Sequence, residues 1–142
     1  MSDTNKRISA RILEEVFGQG RMSTVDELVA ADAVGHDPAM PGPIQGRDGL
    51  KQAASGYRAA FPDLSVTVEQ QVAEGELVTT RWSAGGTHQG ELFGVAPTGV
   101  FSTVSGITID RIENGQIAES WTNWDTFGML TQLGAIPTPA LA

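Results

Sequence analysis

The chain has 142 residues, enough for one ordinary domain around one core, and its 40% hydrophobic and 18% charged residues make a globular mixture rather than a disordered chain or a membrane span. Nine Lys and Arg against seventeen Asp and Glu give a formal net charge of −8, which repels nucleic-acid phosphates and anionic lipid surfaces, so neither is expected as a partner. With no cysteine, disulfides, thiolate nucleophiles and the usual structural zinc sites are excluded.

The N-terminal stretch MSDTNKRISARILEE is charged and amphipathic, with no apolar run ahead of a small-residue cleavage site, so a cytoplasmic protein is expected. Ile8, Ile12, Leu13, Val16 and Phe17 form one helical stripe that Gly18 and Gly20 end. STVDELV then has a capping-box spacing from Thr24 to Glu27 and predicts a short second helix. VGHDPAMPGPIQG, with Pro38, Pro41 and Pro43, reads as a loop, and Leu50, Ala53, Ala54, Tyr57, Ala60 and Phe61 predict a third helix ending before Pro62.

From DLSVTVEQQV onward the period is two. Gly75 turns this strand into LVTTRWS, and GVAPTG has turn chemistry. VFSTVSGITIDRIE joins QIAESWTNW through Asn114-Gly115, a strong two-residue hairpin signal. A short last helix carries Phe127, Leu130 and Leu133. The order predicts a single α+β domain over 1–142, with a curved antiparallel sheet wrapped on about three helices to form a cone with a deep pocket.

Candidate chemistry gathers at the end of the last strand, where Trp121, Trp124 and Asp125 crowd together. Asp125 reads either as the N-cap of the last helix or as a carboxylate among aromatic rings, whose desolvation raises its pKa toward acid–base use; the two readings are compatible. His36 and His88, the only histidines, both lie in irregular segments and complete the best available acid–base set. Arg81 either faces solvent or is buried against a carboxylate or ligand oxygen. An unbroken two-residue hairpin would set Asp110 opposite Glu119, and like charges so placed point to exposure or a cationic partner rather than catalysis. That register also puts Ile107, Ile109 and Trp124 on the face opposite Asp125, so Asp125 would turn inward only if a bulge or the strand end breaks the alternation. There is no phosphate-binding glycine loop, nucleophile elbow or histidine pair at metal spacing, so no metal and no nucleotide cofactor is expected.

GHDP ahead of GRDGLKQ, then FPDLSV, TRWSAGGTHQGELFGVAPTG, SGITIDRIENGQIAESWTNWD and GMLTQLG, together resemble the SnoaL-like polyketide cyclases of the nuclear-transport-factor-2-like superfamily over nearly the whole chain. The resemblance implies a cofactor-independent intramolecular aldol-type ring closure of a polyketide-like substrate. Asp125 would be the acid and base, assisted by His88 and His36. Trp82, Trp121 and Trp124 would line the pocket, and Tyr57 and Arg81 would contact an apolar or aromatic small molecule. It also implies a homodimer or higher oligomer. Because one fold hosts many activities, an isomerase, an epoxide hydrolase with Arg81, Asp125 and Glu119 around water, and a non-catalytic hydrophobic binder stand as alternatives.

Overall fold

The computed structural model describes residues 2–137. Helix α1, Ser2–Arg11, runs on into a wider π-helical stretch, Ile12–Phe17, so that Ile8, Ile12, Leu13 and Val16 are buried together on one stripe. The stripe seen in the sequence is thus one continuous rod. Helix α2, Ser23–Leu28, follows, but without the expected capping box: Thr24 is buried and its hydroxyl donates to Glu15 at 2.7 Å. Helix α3, Gly46–Ala60, buries Ala54 and Ala60, small residues that let it lie close on the sheet. Helix α4, Thr126–Gln132, closes the chain's order of elements. No described helix is long and apolar enough to cross a membrane.

Among the described residues six strands form one open sheet: β1 (Val29–His36), β2 (Ile44–Gln45), β3 (Ser65–Glu74), β4 (Leu77–Thr87), β5 (Phe101–Glu113) and β6 (Gln116–Trp124), in the order β2-β1-β6-β5-β4-β3. The sheet is mixed rather than antiparallel throughout, because β1 runs parallel to β6. Strand β1 escapes sequence reading: its only deep residues are Val29 and Ala33, too sparse for a period-two signal, and its end falls in the stretch that prolines mark as loop. The prolines do form an irregular segment, but Val34, Gly35 and His36 before them pair with Glu119, Ser120 and Trp121.

Asn114 and Gly115, at φ 52° and 76°, make the tight turn between β5 and β6. The pairing departs from a plain hairpin immediately afterwards. Ile112 pairs with Ile117 but Arg111 pairs with Glu119, leaving Ala118 as an extra residue in β6. Asp110 consequently faces Ser120, not Glu119. The sheet turns Thr108, Asp110 and Ile112 inward and leaves Ile107 46% exposed, the reverse of what Ile107 and Ile109 suggest.

Packing concentrates in two clusters. One joins α1, α2 and the sheet through Ile8, Val16, Val25, Val29, Val78 and Ile117. The other joins the end of α3 to α4 through Ala60, Phe61, Met129 and Leu133. Between them the sheet does not touch the helices everywhere, and a cavity of about 170 Å³ remains, bounded by members of both. Trp82 reaches into this space across Gly106, its neighbour in the ladder, where an added Cβ would stand 2.4 Å from the indole. Gly106→Ala must push back either the ring or the strand, and is expected to destabilise the protein by about 1–3 kcal/mol in urea unfolding.

Candidate active site

The cavity walls draw on α3, β1 and the strands β4, β5 and β6, among other elements. Helix α3 supplies Leu50, Ala53 and Tyr57; the end of β1 supplies His36 and Asp37; and the alternation of the long strands supplies Trp82 from β4, Thr108 and Asp110 from β5, and Ser120, Thr122 and Trp124 from β6. The walls are mostly apolar, and among the described lining residues there is no Lys or Arg.

Near the end of β1, Asp37 is held by three donors. The Tyr57 hydroxyl donates to Oδ2 at 2.9 Å, the Trp124 indole N–H to Oδ1 at 3.1 Å, and the Ala39 N–H to Oδ1 at 2.9 Å. Burial pushes the Tyr57 phenol well above its ordinary range, and the neighbouring Asp37 carboxylate pushes it further, so Tyr57 stays protonated. Phe93 packs against both rings, 6.3 Å from each.

Deeper in, Asp110 is 3% exposed. The Ser120 hydroxyl donates to its carboxylate, while the buried Ser9 hydroxyl, near it on α1, meets no partner in hydrogen-bonding geometry. Burial pushes Asp110 up to about 6, with the Ser120 hydrogen bond offsetting part of the rise. A carboxyl in an apolar cavity with no cation beside it has the poise of a general acid or base near neutral pH. Above it in the ladder, Trp82 Nε1–H donates to Thr108 Oγ1 at 3.0 Å, and Thr108 Oγ1 lies 2.9 Å from Thr122 Oγ1.

The residues singled out by sequence are distributed unevenly around this site. Asp125 is exposed, caps α4 by accepting the Gly128 N–H at 2.8 Å, and is not among the cavity-lining residues. Trp124, Trp82, Tyr57 and His36 line the cavity. Trp121 lies on the outer face of β6, its ring stacked on His36 at 5.8 Å, where the two border a separate surface cleft. His36 Nε2 meets Glu119 at 2.8 Å, and Glu119 is held below the usual carboxylate range first by His36 and then by Arg111. Arg81 is exposed and donates to Gln70. His88 is fully buried against Phe61; its Nδ1 accepts the Thr98 N–H at 3.2 Å, pinning the loop before β5. The group missed by sequence is Asp110 with Thr108 and Thr122, hidden because a plain hairpin puts Asp110 beside Glu119. For Thr108 and Asp110 the signal is parity with Ile112, a buried position. Among the described residues no group of three or more His, Asp or Glu side chains is placed to hold a metal ion.

Comparison with known proteins agrees with this architecture. The family model for SnoaL-like polyketide cyclases matches residues 7–133. IdmH from Streptomyces antibioticus, a candidate polyketide cyclase of known structure, is 37% identical, with 92% of this chain and 98% of that chain covered and a TM-score of 0.80. A candidate SnoaL-like cyclase from Jannaschia sp. CCS1 is 22% identical over 96% of this chain and 95% of its own, with a TM-score of 0.86. AclR from Streptomyces galilaeus, a candidate hydroxylase, is 24% identical over 99% of this chain and 87% of its own, with a TM-score of 0.84. At those two lower identities the likeness is one of fold. No curated protein matches.

The raised Asp110 carboxyl has a consequence for stability. Its folded-state value, about 6, exceeds the ordinary 3.8, so its protonated form favours folding: the contribution is complete below about pH 4 and is lost as pH rises through about 6. The loss amounts to roughly 3 kcal/mol. Asp110→Asn, which carries no charge, should gain about that much on the wild type between about pH 4 and about pH 7 in urea unfolding.

Proposed function

The chain belongs to the SnoaL-like polyketide cyclase family, and from that premise we propose that it closes a ring in a polyketide-like substrate by an intramolecular aldol-type reaction, with Asp110 moving the proton. The observation that carries this reading is a buried carboxyl, without a cation, opening on an apolar cavity walled by Trp82, Tyr57 and Trp124. The Asp110 carboxylate takes an α-proton; the C–H electron pair becomes the enolate, whose carbon attacks a second carbonyl of the same substrate, and the resulting alkoxide recovers the proton from the Asp110 carboxyl. The proton account closes on one residue, so proton transfer and orientation within the cavity suffice for the step.

This assigns to Asp110 the role that motif resemblance gives to Asp125, because a proton-transferring group must reach the substrate and Asp125 spends an oxygen on capping α4 outside the cavity. His36 is proposed as a rim residue, set by Glu119. His88 is proposed to act through the loop it pins. Nothing in the cavity favours the epoxide hydrolase arrangement, since Arg81 lies on the opposite face of the sheet.

The expected outcome for Asp110→Asn is a folded protein that still binds apolar polycyclic ligands but turns over a cyclisable poly-β-ketone at least about a hundredfold more slowly. In the wild type kcat/KM should rise with pH to a plateau with an apparent pKa near 6. Turnover undiminished in Asp110→Asn would refute the assignment, and no product from the wild type across such ketones would leave a binding protein.

We also propose self-association through the outer face of the sheet, where Val72, Leu77, Phe101 and Ile107 expose 62, 43, 61 and 46% of their surface. Sedimentation should show a species larger than the 15.0 kDa chain, and Phe101→Asp should shift it toward the monomer.

A further inference from the structure

Two hydroxyls in the cavity wall hold one proton that the protein does not use, and from this we infer that Thr122 donates it to the carbonyl oxygen of an enolisable ketone. The inference rests on the reading of Asp110 as the group that moves the α-proton, and adds the group that receives the developing negative charge.

An indole N–H only donates, so the 3.0 Å contact between Trp82 Nε1 and Thr108 Oγ1 occupies a lone pair of Thr108 and none of its protons. Thr108 and Thr122 then share a single hydrogen bond, 2.9 Å long, which uses one of their two hydroxyl protons. Neither hydroxyl has any further partner among the described residues, and both line the cavity. A hydroxyl proton on an apolar wall favours an acceptor, and the carbonyl of a ligand entering the cavity can supply one.

The indole also sets the direction. By donating to Thr108 it polarises that hydroxyl and strengthens it as a donor to Thr122, which leaves the spare proton on Thr122. Trp82 is therefore a positioning residue for Thr122, buried at 9% exposure and held in place by the gap at Gly106.

The ladder places this donor relative to the base. Thr108 pairs with Thr122, and Asp110 with Ser120, two residues further along the same face. Rows so related are about 7 Å apart. A ketone fits between them, with its oxygen about 3 Å from Thr122 Oγ1 and its α-carbon about 3 Å from the Asp110 carboxylate. When the α-proton leaves, the C–H pair forms the C=C bond and the carbonyl π pair moves to the oxygen, where the Thr122 hydrogen bond strengthens as charge develops. The two rows therefore select a substrate with a carbonyl next to an acidic C–H, as in a β-diketone, over a hydrocarbon of the same shape.

The test uses 2-acetylnaphthalene and its hydrocarbon isostere 2-isopropenylnaphthalene as probes, with binding followed by calorimetry and the bound carbonyl followed by infrared spectroscopy. In the wild type the ketone should bind about tenfold tighter than the isostere, and its C=O stretch should fall below its value in an apolar solvent. Thr122→Val should shrink the preference and raise the stretch, and Thr122→Val combined with Thr108→Val should abolish the preference and return the stretch to the apolar value, whereas Thr122→Ser should keep both. A wild-type stretch that does not fall, or a preference and stretch unchanged in Thr122→Val, would overturn the inference. Turnover in Asp110→Asn reports separately on the base. Full activity there together with a Thr122-dependent stretch would fault the Asp110 reading alone, and lost activity with a Thr122-independent stretch would fault the Thr122 assignment alone.

Discussion

One extra residue in β6, Ala118, decides which side chains the sheet turns toward the cavity. Because the side-chain period of a strand is two, a one-residue bulge exchanges the two faces of everything beyond it. Beyond Ala118 the inward positions become Ser120, Thr122 and Trp124, and the outward ones Glu119, Trp121 and Asn123. Ser120 then meets Asp110, and Thr122 meets Thr108. Without the bulge Glu119 would stand beside Asp110, two carboxylates in one apolar space. The bulge gives Asp110 a neutral partner and sends Glu119 out to His36 and Arg111.

The two carboxylates of the cavity have different work because they have different neighbours. Asp37 receives three donors, two of them aromatic side chains, and so joins β1, α3 and β6 into a fixed rim. Asp110 is deeper and receives one hydroxyl, which leaves it the capacity to take up and return a proton. That under-satisfied group lowers stability near neutral pH. The packing of the helices on both sides of the cavity offsets the cost, with Val16, Val25 and Val78 wholly buried in one cluster and Phe61 and Met129 nearly so in the other.

Much of the fold is legible in the sequence because helix stripes, glycine turns and alternating strands are local signals: α1, α3, the β3–β4 turn at Gly75 and the Asn114-Gly115 hairpin follow from spacing alone. The mixed sheet is not, since the parallel pairing of β1 with β6 joins segments nearly ninety residues apart and leaves no local mark. The site is legible in part. Tyr57, Trp82, Trp124 and His36 stand on the cavity, while Trp121, Arg81 and Asp125 lie elsewhere. Asp110 and the threonines were obscured by the ordinary rule that isoleucines mark the inside. Here the rule is inverted in β5, where Thr108 and Asp110 turn inward onto the cavity and Ile107 and Phe101 lie outside.

The most direct test of the account is the titration of the Asp110 carboxyl itself, followed by carbon NMR in protein labelled at the aspartate carboxyls and assigned by comparison with Asp110→Asn. The account predicts one aspartate titrating near 6, absent from the variant. An Asp110 resonance that titrates in the ordinary carboxylate range, near 4, would contradict it, because a fully ionised and solvated carboxylate would mean that the apolar cavity does not enclose the group on which the proposed chemistry depends.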